Sequence, residues 1–416
     1  MHQIKTRAAI LLSVPSNIAL FHCALDIFTI NNWSPAAPSK EPLSIAHVVF
    51  VLTDKESKIL SAFQTQLSHE GITTVAIDDA IQIDSLITPK SIVVYIPPTA
   101  KRKDDIYAAA TQACTGLINV AQQLYHRSIS AKSEAIKLFS IVSKSWDIRN
   151  LAYSPLHGLS RVLKTEIPEI FGGLFEDDCG CFPLSAVKYA QGFDVVKICE
   201  GEAQIASLQP FANEPNDLKG LQLDANSTYL ITGGTGGIGL ATATWLAQHG
   251  ARNLVLVSRR GLLLNGDSKP VASSSADLVS RIAKLKALGV SVHVVAVDLS
   301  KPNADVTLGQ AVNDLHIPPI KGVIHAAGTA GYRTLTQCTP SDVAEHLEPK
   351  VMGSLNVDSL FPPGTLDFFI FTSSVGQLVG FPGQLAYAPS NSFLDALAAY
   401  RRRQGDNSMS ILWAGW

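Results

Sequence analysis

The stretch FTSSVGQLVGFPGQLAYAPSN, residues 371–391, places Ser374 and Tyr387 thirteen residues apart. A serine hydroxyl and a tyrosine phenol both donate hydrogen bonds, so together they can stabilise negative charge that develops on an oxygen and then protonate it. A free phenol has a pKa of about 10, so a neighbouring ammonium is needed to ease the loss of its proton. Four residues beyond the tyrosine stands Asn391, which carries no charge. The stretch is therefore either a broken site or one whose cation comes from elsewhere in the chain.

A glycine-rich run follows the strand-like segment TYLIT, residues 228–232, and precedes a segment with helical spacing, LATATWLAQHG. Glycines let such a turn close and let the backbone approach a pyrophosphate, whose charge is favoured at a helix N-terminus. A purely structural glycine turn is the alternative, but the strand and helix on either side favour a dinucleotide site. The residues predicted to hold the cofactor here are Gly233, Thr235, Gly236, Gly237, Ile238 and Gly239.

The next strand-like segment, NLVLVSRRG at 253–261, indicates which dinucleotide is bound. In an NAD-selective site an acid stands about 20 residues past the glycines and holds the ribose hydroxyls. This chain has Ser258, Arg259 and Arg260 at that place. Because a guanidinium pairs with the 2'-phosphate of NADP through charge-assisted bonds, we expect NADPH. The alternative is that the arginines only solvate the strand end.

Two further strand ends lie where the adenine and the nicotinamide ribose would be reached in a parallel sheet. The residues predicted at these ends are Asp298 and Leu299 in VHVVAVDLS, and Ala326, Ala327 and Gly328 in GVIHAAG. Asp298 either accepts a hydrogen bond from the adenine amine or caps the helix that follows it. His325, within the second of these strands, is expected to be a core histidine and not a catalytic base.

The elements that must position these residues alternate between short β-branched runs and segments of helical spacing, which predicts an α/β fold with parallel sheets. In the first half the pattern predicts a helix over 104–124 and strands over 8–14, 45–52, 73–77, 91–96 and 135–143. That half has no glycine loop after its first strand, so we expect no nucleotide there. The chain divides into units at 1–200 and 227–416, a linker at 201–226, and a surface insertion at 261–277 within the second unit.

Composition excludes several classes of function. The chain has 416 residues, a formal net charge of −2 and a pI near 6.6, and its basic residues are dispersed apart from the run Arg401–Arg403. Nucleic-acid binding therefore has no support, and that run is expected to be the solvated end of a helix. Among six cysteines, Cys179 and Cys181 alone lie close together, so we expect reduced thiols and no metal site. No apolar run approaches the roughly 18 residues that span a membrane, so a cytoplasmic protein is predicted.

Seven motifs carry a family resemblance over residues 228–416. In chain order they are GGTGGIG, SRRG, VDLS, HAAG, PKVMGSLNV, FTSSVGQLVG and YAPSNSFLDALA. In this order and spacing they are similar to the ketoreductase (KR) domain of polyketide synthases, a branch of the short-chain dehydrogenase/reductases, and look most like fungal iterative enzymes of the methylsalicylic acid synthase type. The stretch PLHGLSRVLKTEIPEIFGGLFED, residues 155–177, resembles the structural subdomain that precedes the catalytic one. The resemblance implies two Rossmann-like subdomains, a truncated structural one without cofactor over 1–200 and a doubly wound catalytic one over 227–416.

The resemblance also supplies the missing cation. In these ketoreductases an asparagine follows the tyrosine and the lysine comes from an earlier helix, and Lys350 in PKVMGSLNV fills that position. The implied tetrad is Lys350, Ser374, Tyr387 and Asn391. Tyr387 would donate the proton, Ser374 would hold the same oxygen, Lys350 would favour the phenolate, and Asn391 would help position Lys350 through an ordered water. Ser373 is a weaker rival to Ser374, and ordinary packing or capping is the alternative role for each side chain.

The function implied is NADPH-dependent reduction of the β-ketone of an acyl thioester, held on the phosphopantetheine arm of an acyl carrier protein and flanked by neighbouring polyketide synthase domains. The alternatives are a catalytically inactive scaffold module of a megasynthase and a stand-alone reductase of small ketones. Neither stereochemical signature of the family is present, since Ala330, Gly331 and Tyr332 replace Leu-Asp-Asp and Val379 replaces a tryptophan. The chain stops at SMSILWAGW, where the family continues into a lid and a last strand, so we expect a truncated chain with an exposed sheet edge.

Overall fold

The computed structural model describes residues 8–11, 28–37, 41–53, 58–131, 136–143, 147–177, 180–189, 192–210, 223–261 and 274–414. Within these ranges the chain forms two β-sheets with helices packed against them, which confirms the predicted α/β class. Parts of the predicted linker and insertion, residues 211–222 and 262–273, lie outside the described residues. No helix in the described ranges is long and apolar enough to cross a bilayer.

The strands are numbered in chain order. They are β1 Ala8–Leu11, β2 Phe28–Pro35, β3 His47–Leu52, β4 Thr73–Ile77, β5 Ser91–Ile96, β6 Lys137–Ser143, β7 Phe171–Asp177, β8 Val195–Cys199, β9 Glu202–Pro210, β10 Thr228–Thr232, β11 Asn253–Ser258, β12 Ser291–Ala296, β13 Ile320–His325, β14 Phe368–Ser374 and β15 Ser408–Trp413. The helices are α1 Lys58–His69, α2 Ile83–Leu86, α3 Ile106–Ala131, α4 Pro155–Glu166, α5 Leu184–Tyr189, α6 Gly237–Gln248, α7 Ser274–Ala287, α8 Ala304–Asn313, α9 Pro340–Leu347, α10 Gly353–Leu360, α11 Gly376–Val379 and α12 Tyr387–Arg403.

The first sheet has eight strands in the order β2-β9-β8-β7-β6-β5-β3-β4. The strands from β8 to β4 are parallel, whereas β9 runs antiparallel to both β8 and β2. Its central strand β5, SIVVYI, is buried along its whole length, as expected of a parallel strand that helices cover on both faces.

The second sheet has seven parallel strands in the order β12-β11-β10-β13-β14-β15-β1. Central strand β10, TYLIT, is entirely buried. The strand order reverses between β10 and β13, so the loops that follow these two strands diverge and leave a crevice at the carboxyl edge of the sheet. The glycine run leads from β10 into α6 at this crevice.

Two strands do not follow the predicted division of the chain into units. β1 was assigned to the first unit, but it pairs with β15 in the second sheet, from Ala8 opposite Ser410 to Leu11 opposite Trp413. It therefore covers the edge of β15 that was expected to be exposed. β9 falls inside the predicted linker. Its residues Ala203 and Ile205 lie on one face of the strand and pack on the buried side chains of the first sheet.

A continuous cluster of buried side chains joins the two sheets through α3, α4, α9 and α12. Helices α4 and α12 approach so closely that a Cβ on Gly158 would lie 2.4 Å from Ser392 Oγ and 2.6 Å from the Ala388 carbonyl oxygen. A side chain at position 158 would therefore push α12 away from α4.

Polar side chains of α4 also bind loops of the second unit. Glu166 accepts the N–H of Leu335 at Oε2 and the N–H of Gly383 at Oε1, each at 2.7 Å. Arg161 Nη1 donates to the carbonyl oxygen and to the Oε1 of Gln377, each at 3.1 Å. The first unit thus holds the loops that follow β13 and β14.

The end of α12 differs from the prediction. Arg401 is fully buried, donates to Asp358 Oδ1 at 2.5 Å and to Asp406 Oδ2 at 2.7 Å, and lies over the Phe369 ring. The prediction of a solvated arginine run is wrong at this position, because Asp358, which is distant in sequence, and Asp406, which is five residues away, both pair with Arg401. Arg403 is exposed as predicted.

Candidate active site

The glycine loop between β10 and α6 has a geometry that requires glycine. Gly233 has a φ of +62°, and a Cβ there would lie 2.6 Å from the Ala326 carbonyl oxygen. A Cβ on Gly239 would lie 2.3 Å from the Gly233 oxygen, so the first turn of α6 packs directly on the loop. Gly236 precedes the helix as its N-cap, and both Gly236 and Gly237 are exposed. The open N-terminus of α6 therefore faces solvent with backbone N–H groups available to an anion.

The other two loop residues predicted to bind cofactor, Thr235 and Ile238, are half-buried. Ser258 ends β11, and its Oγ accepts the N–H of Gly261 at 3.1 Å. Arg259 and Arg260 follow and are exposed, with no ion pair to any other described side chain. Both guanidinium groups are thus available at the strand end beside the glycine loop.

Asp298 and Leu299 follow β12. Asp298 Oδ1 accepts the N–H of Ser300 at 3.1 Å and its hydroxyl at 2.7 Å, within the turn that precedes α8. The N-cap of α8 is Asn303, so the alternative prediction that Asp298 caps this helix is wrong. Partial burial acts to raise the pKa of Asp298, but these hydrogen bonds and the nearby cations lower it overall. Leu299 packs its side chain in the core and accepts Asn356 Nδ2 at its carbonyl oxygen, 2.8 Å, so its side chain is not available to a ligand.

The loop after β13 lies between the glycine loop and Lys350. The N–H of Ala326 donates to the Thr232 carbonyl oxygen at 3.1 Å, and that of Ala327 to Thr232 Oγ1 at 3.3 Å. A Cβ on Gly328 would lie 2.8 Å from Lys350 Cε. The structure therefore brings the predicted cofactor loop and the predicted catalytic lysine to one place.

Lys350 lies in a π-helical turn, Glu348–Met352, between α9 and α10. Such single turns are frequent at functional sites. The side chain is 5% exposed, and Nζ donates to the Thr372 carbonyl oxygen of β14 at 2.9 Å. Burial lowers the pKa of Lys350 to about 8, against the opposing effect of the Asp395 carboxylate. The ammonium is thus buried beside the strand that ends in Ser374.

Ser374 lies on β14, and Tyr387 and Asn391 lie on α12, which packs against β14. Ser374 ends β14, and its Oγ accepts the N–H of Gly376 at 3.1 Å. Tyr387 begins α12, and Asn391 Nδ2 donates to the Tyr387 carbonyl oxygen at 2.8 Å. Asn391 is fully buried, and its Oδ1 has no hydrogen-bond partner among the described residues. A buried acceptor without a partner is the place for a water or a ligand donor.

Two residues weighed against the tetrad have other environments. Ser373 Oγ donates to the Asn391 carbonyl oxygen at 3.3 Å, and as the neighbour of Ser374 in a strand it points to the opposite face. His325 is fully buried, with Nδ1 bonded to Thr232 Oγ1 at 2.9 Å. Burial and the Lys350 charge lower the pKa of His325 to about 3. His325 is therefore neutral, as expected of a core histidine.

His346 was not singled out in the sequence, yet it contacts the predicted proton donor. Its ring packs edge-on against Tyr387, with 6.2 Å between ring centroids. Nδ1 lies 2.8 Å from the Asp342 carbonyl oxygen, so Nδ1 carries the proton and Nε2 is left as an acceptor. Nε2 is buried without a partner among the described residues, and a Cβ on Gly331 would lie 2.4 Å from it. The sequence signal that could have identified His346 is its spacing, because it stands four residues before Lys350.

The mouth of the site is formed by the loops after β13 and β14. The N–H of Arg333 donates to the Gly383 carbonyl oxygen at 2.7 Å, which joins the two loops. Three large apolar side chains on these loops are exposed, namely Tyr332, Val379 and Phe381. Tyr332 and Val379 stand at the positions where the resemblance would place the stereochemical signatures. No cluster of metal-ligating side chains occurs in the described part of the chain.

Comparison with known proteins agrees with this geometry. The KR domain model matches residues 227–416. The chain is 39% identical over 396 residues to a 6-methylsalicylic acid synthase of Penicillium terrestre and 38% identical over 392 residues to one of Arthrobotrys oligospora. Each match covers 92% of this chain and 22% of the relative, so the chain spans about a fifth of the length of these curated relatives.

Solved structures show the same fold. The chain is similar to A-type ketoreductases from a modular polyketide synthase, with a TM-score of 0.71 at 25% identity over 92% of this chain and 82% of that one. It is also similar to the first ketoreductase of the tylosin polyketide synthase, with a TM-score of 0.69 at 25% identity over 92% and 81%. Residues 227–416 therefore belong to the ketoreductase (KR) domain family of polyketide synthases, oxidoreductases of the short-chain dehydrogenase/reductase type with a Rossmann-like fold.

Proposed function

We propose that the chain reduces the β-ketone of a carrier-bound acyl thioester to a β-hydroxyacyl thioester with NADPH as hydride donor. The observation that carries this proposal is the burial of Lys350 against β14, which ends in Ser374, with Tyr387 and Asn391 at the start of the adjoining helix α12, beside a glycine loop at the switch point of a parallel sheet. A phenol, a hydroxyl and a buried ammonium suit a reaction that builds negative charge on an oxygen.

The residues around the glycine loop fit a dinucleotide phosphate. Gly236 and Gly237 leave the N-terminus of α6 open to a pyrophosphate, and no Cβ fills the space beside them. Arg259 and Arg260 are placed to pair with the 2'-phosphate that distinguishes NADPH from NADH. When bound, NADPH supplies the hydride.

The reaction balances with the side chains present. The Tyr387 hydroxyl would donate its proton to the substrate oxygen as the hydride supplied by bound NADPH converts the ketone to an alcohol. Ser374 Oγ would donate to the same oxygen, and the Lys350 ammonium would stabilise the tyrosinate that remains until it regains a proton from solvent. Asn391 Oδ1, which has no partner among the described residues, would accept a bond from an ordered water that helps to position Lys350.

The proposed partners follow from the relatives and from the mouth of the site. The 6-methylsalicylic acid synthases are much longer than this chain, so we infer neighbouring polyketide synthase domains and an acyl carrier protein in the cytoplasm. The exposed apolar side chains of Tyr332, Val379 and Phe381 would contact the acyl group and its phosphopantetheine arm. The first unit, 1–200, would act as a structural subdomain that binds no nucleotide and holds the site loops through Glu166 and Arg161.

The test is Tyr387→Phe, assayed by NADPH oxidation with a β-ketoacyl thioester mimic in the full chain. We expect kcat to fall by about 10²- to 10³-fold, the usual cost of one lost donor to an oxyanion, with NADPH affinity unchanged. Tyr400→Phe, on the same helix α12, is the matched control and should turn over normally. Unchanged reduction by Tyr387→Phe would contradict the proposed mechanism.

A further inference from the structure

The Lys350 ammonium is a buried charge whose one hydrogen bond in the described chain goes to a neutral group, the Thr372 carbonyl oxygen. A buried ammonium is costly unless an opposite charge compensates it. No carboxylate lies within 4.0 Å of Lys350 Nζ among the described residues. The compensating charge must therefore act over a longer distance.

Asp395 is the carboxylate that meets this requirement. It lies on α12 at a spacing of four residues from Asn391 and eight from Tyr387, so all three share one face of the helix. Its negative charge acts on Lys350 and opposes the effect of burial. Asp395 forms a hydrogen bond with the Ser373 side chain of β14. Ser373 directly follows Thr372, whose carbonyl oxygen binds Lys350.

The Asp395 carboxylate is held in place by a chain of hydrogen bonds that begins in the first unit. Gln377 Nε2 donates to Asp395 Oδ2 at 2.5 Å. Gln377 Oε1 accepts from Arg161 Nη1 and from Ser392 Oγ, each at 3.1 Å, so the orientation of the amide is fixed. The hydroxyls of Ser373 and Ser410 also favour the ionised form of this buried carboxylate.

The charged groups around this pair come from four elements. Burial raises the pKa of Asp395 to about 6, against the opposing effects of hydrogen bonds from Ser373 and Ser410 and of the charges of Arg161 on α4, Lys350, and Arg402 on α12. His325 of β13 also faces Lys350, but it is neutral. Near neutral pH, Asp395 is therefore ionised and is the one negative charge in the described chain that acts on Lys350.

We propose that Asp395 is a positioning residue that acts as the remote counter-ion of Lys350 and keeps it an ammonium in the buried site. Its effect on reduction rests on the proposed function, whereas its effect on Lys350 does not. A carboxylate in direct contact would neutralise the ammonium and weaken its action on the Tyr387 oxygen. A carboxylate held at a distance stabilises the charge and leaves Nζ free to act on the phenol.

The test is Asp395→Asn in the full chain, with the titration of Lys350 followed by NMR of ¹³Cε-labelled lysine and assigned through Lys350→Arg. We expect the pKa of Lys350 to fall by about 1, which is the lower limit of the pKa shift that one nearby opposite charge usually causes. The alkaline fall of kcat should move to lower pH by the same amount, and Asp395→Glu should restore both. Asp314→Asn makes the same change of charge at an exposed site and should alter neither.

A folded Asp395→Asn variant with an unchanged Lys350 titration would overturn the proposal. If that variant does not fold, the wild-type chain gives the answer, because protonation of Asp395 near pH 6 should produce a second inflection in the Lys350 resonance. Absence of that inflection would also overturn it. Failure of the proposed function would appear separately, as normal turnover in Tyr387→Phe.

Discussion

Glu166 and Gly383 lie in different units of the chain, and the Glu166 carboxylate accepts the Gly383 N–H at 2.7 Å. The other oxygen of the same carboxylate accepts the N–H of Leu335. One side chain of the first unit therefore holds both loops that form the mouth of the site. The contacted residues lie within four positions of Tyr332 and Tyr387 in the sequence.

Glu166→Gln should impair catalysis without removing the cofactor site. The amide NH₂ of glutamine cannot accept, so one backbone N–H loses its partner, at a cost of about 1–3 kcal/mol in the free energy of unfolding. Displacement of the Tyr387 loop should lower kcat by about 10- to 100-fold. Urea unfolding and steady-state kinetics would measure both effects. Glu169→Gln, an exposed acid three residues away, is the control, and equal behaviour of the two variants would refute the role of Glu166.

Gly331→Ala should disturb Tyr387 through His346. The added Cβ would lie 2.4 Å from His346 Nε2, and the imidazole is buried against the phenol, so it cannot move freely. Overpacking of this kind costs about 1–3 kcal/mol, and we expect kcat to fall. The double variant Gly331→Ala with His346→Ala makes room for the methyl group. It should recover part of the loss of the single Gly331 change, and no recovery would show that the clash is not the cause.

Arg259→Ala and Arg260→Ala together should change the choice of dinucleotide. Both guanidinium groups are exposed beside the glycine loop, and a charge-assisted bond to the 2'-phosphate exists with NADPH alone. Calorimetric titration should show NADPH affinity lower by about 10-fold or more, with NADH affinity unchanged. Arg281→Ala on α7 removes a charge elsewhere and should leave both affinities alone. An equal loss for the two dinucleotides would contradict the assignment.

Lys350→Met should abolish reduction and yet stabilise the fold near neutral pH. Burial lowers the pKa of Lys350 from 10.5 to about 8, so the native state disfavours the charge, and an apolar residue of similar length removes a penalty of about 1–3 kcal/mol. Asp395 keeps its hydrogen bond from Gln377 and the nearby charge of Arg161, so it is not left uncompensated. Above pH 8 the wild-type native state binds fewer protons than the unfolded chain, so its stability rises and the difference should shrink towards pH 10.5. Urea unfolding as a function of pH measures this. A variant less stable than wild type at about pH 7 would show that Lys350 also stabilises the fold.

Arg401→Met should destabilise the chain strongly, because Asp358 and Asp406 would lose the cation that pairs with them in the interior. Breaking a buried pair from one side costs about 3–5 kcal/mol. Arg403→Met, on the exposed side of the same helix end, should change the free energy of unfolding by about 0.5 kcal/mol or less. Thermal and urea unfolding would compare the two, and similar values would mean that the buried cluster contributes little.

Local patterns were sufficient for much of the fold. The predicted strands at 91–96 and 228–232 agree with β5 and β10 residue for residue, since parallel strands buried on both faces are short continuous apolar runs bounded by turn residues. The predicted strand at 73–77 also agrees with β4, an edge strand whose alternating β-branched residues gave the signal. The glycine run likewise lies between a strand and a helix, where its sequence context placed it.

Features that depend on distant contacts were not predicted. The Arg401 run has the composition of a solvated helix end, and its burial depends on Asp358, about 40 residues earlier. Glu166 has no sequence signal for its contact with Gly383, because the two residues are more than 200 positions apart. Asp395 stands within the motif YAPSNSFLDALA, but its proposed role follows from Gln377 and Arg161, which α11 and α4 bring to it.

The pairing of β1 with β15 joins the first and the last described strands within one sheet. Excision of residues 227–416 as an independent domain would remove a strand from its own sheet and leave β15 open to intermolecular pairing. The two units are thus not consecutive segments of the chain, because β1 belongs to the sheet of the second unit. During synthesis β1 emerges long before β15, so completion of the reductase sheet is postponed until translation has passed β15.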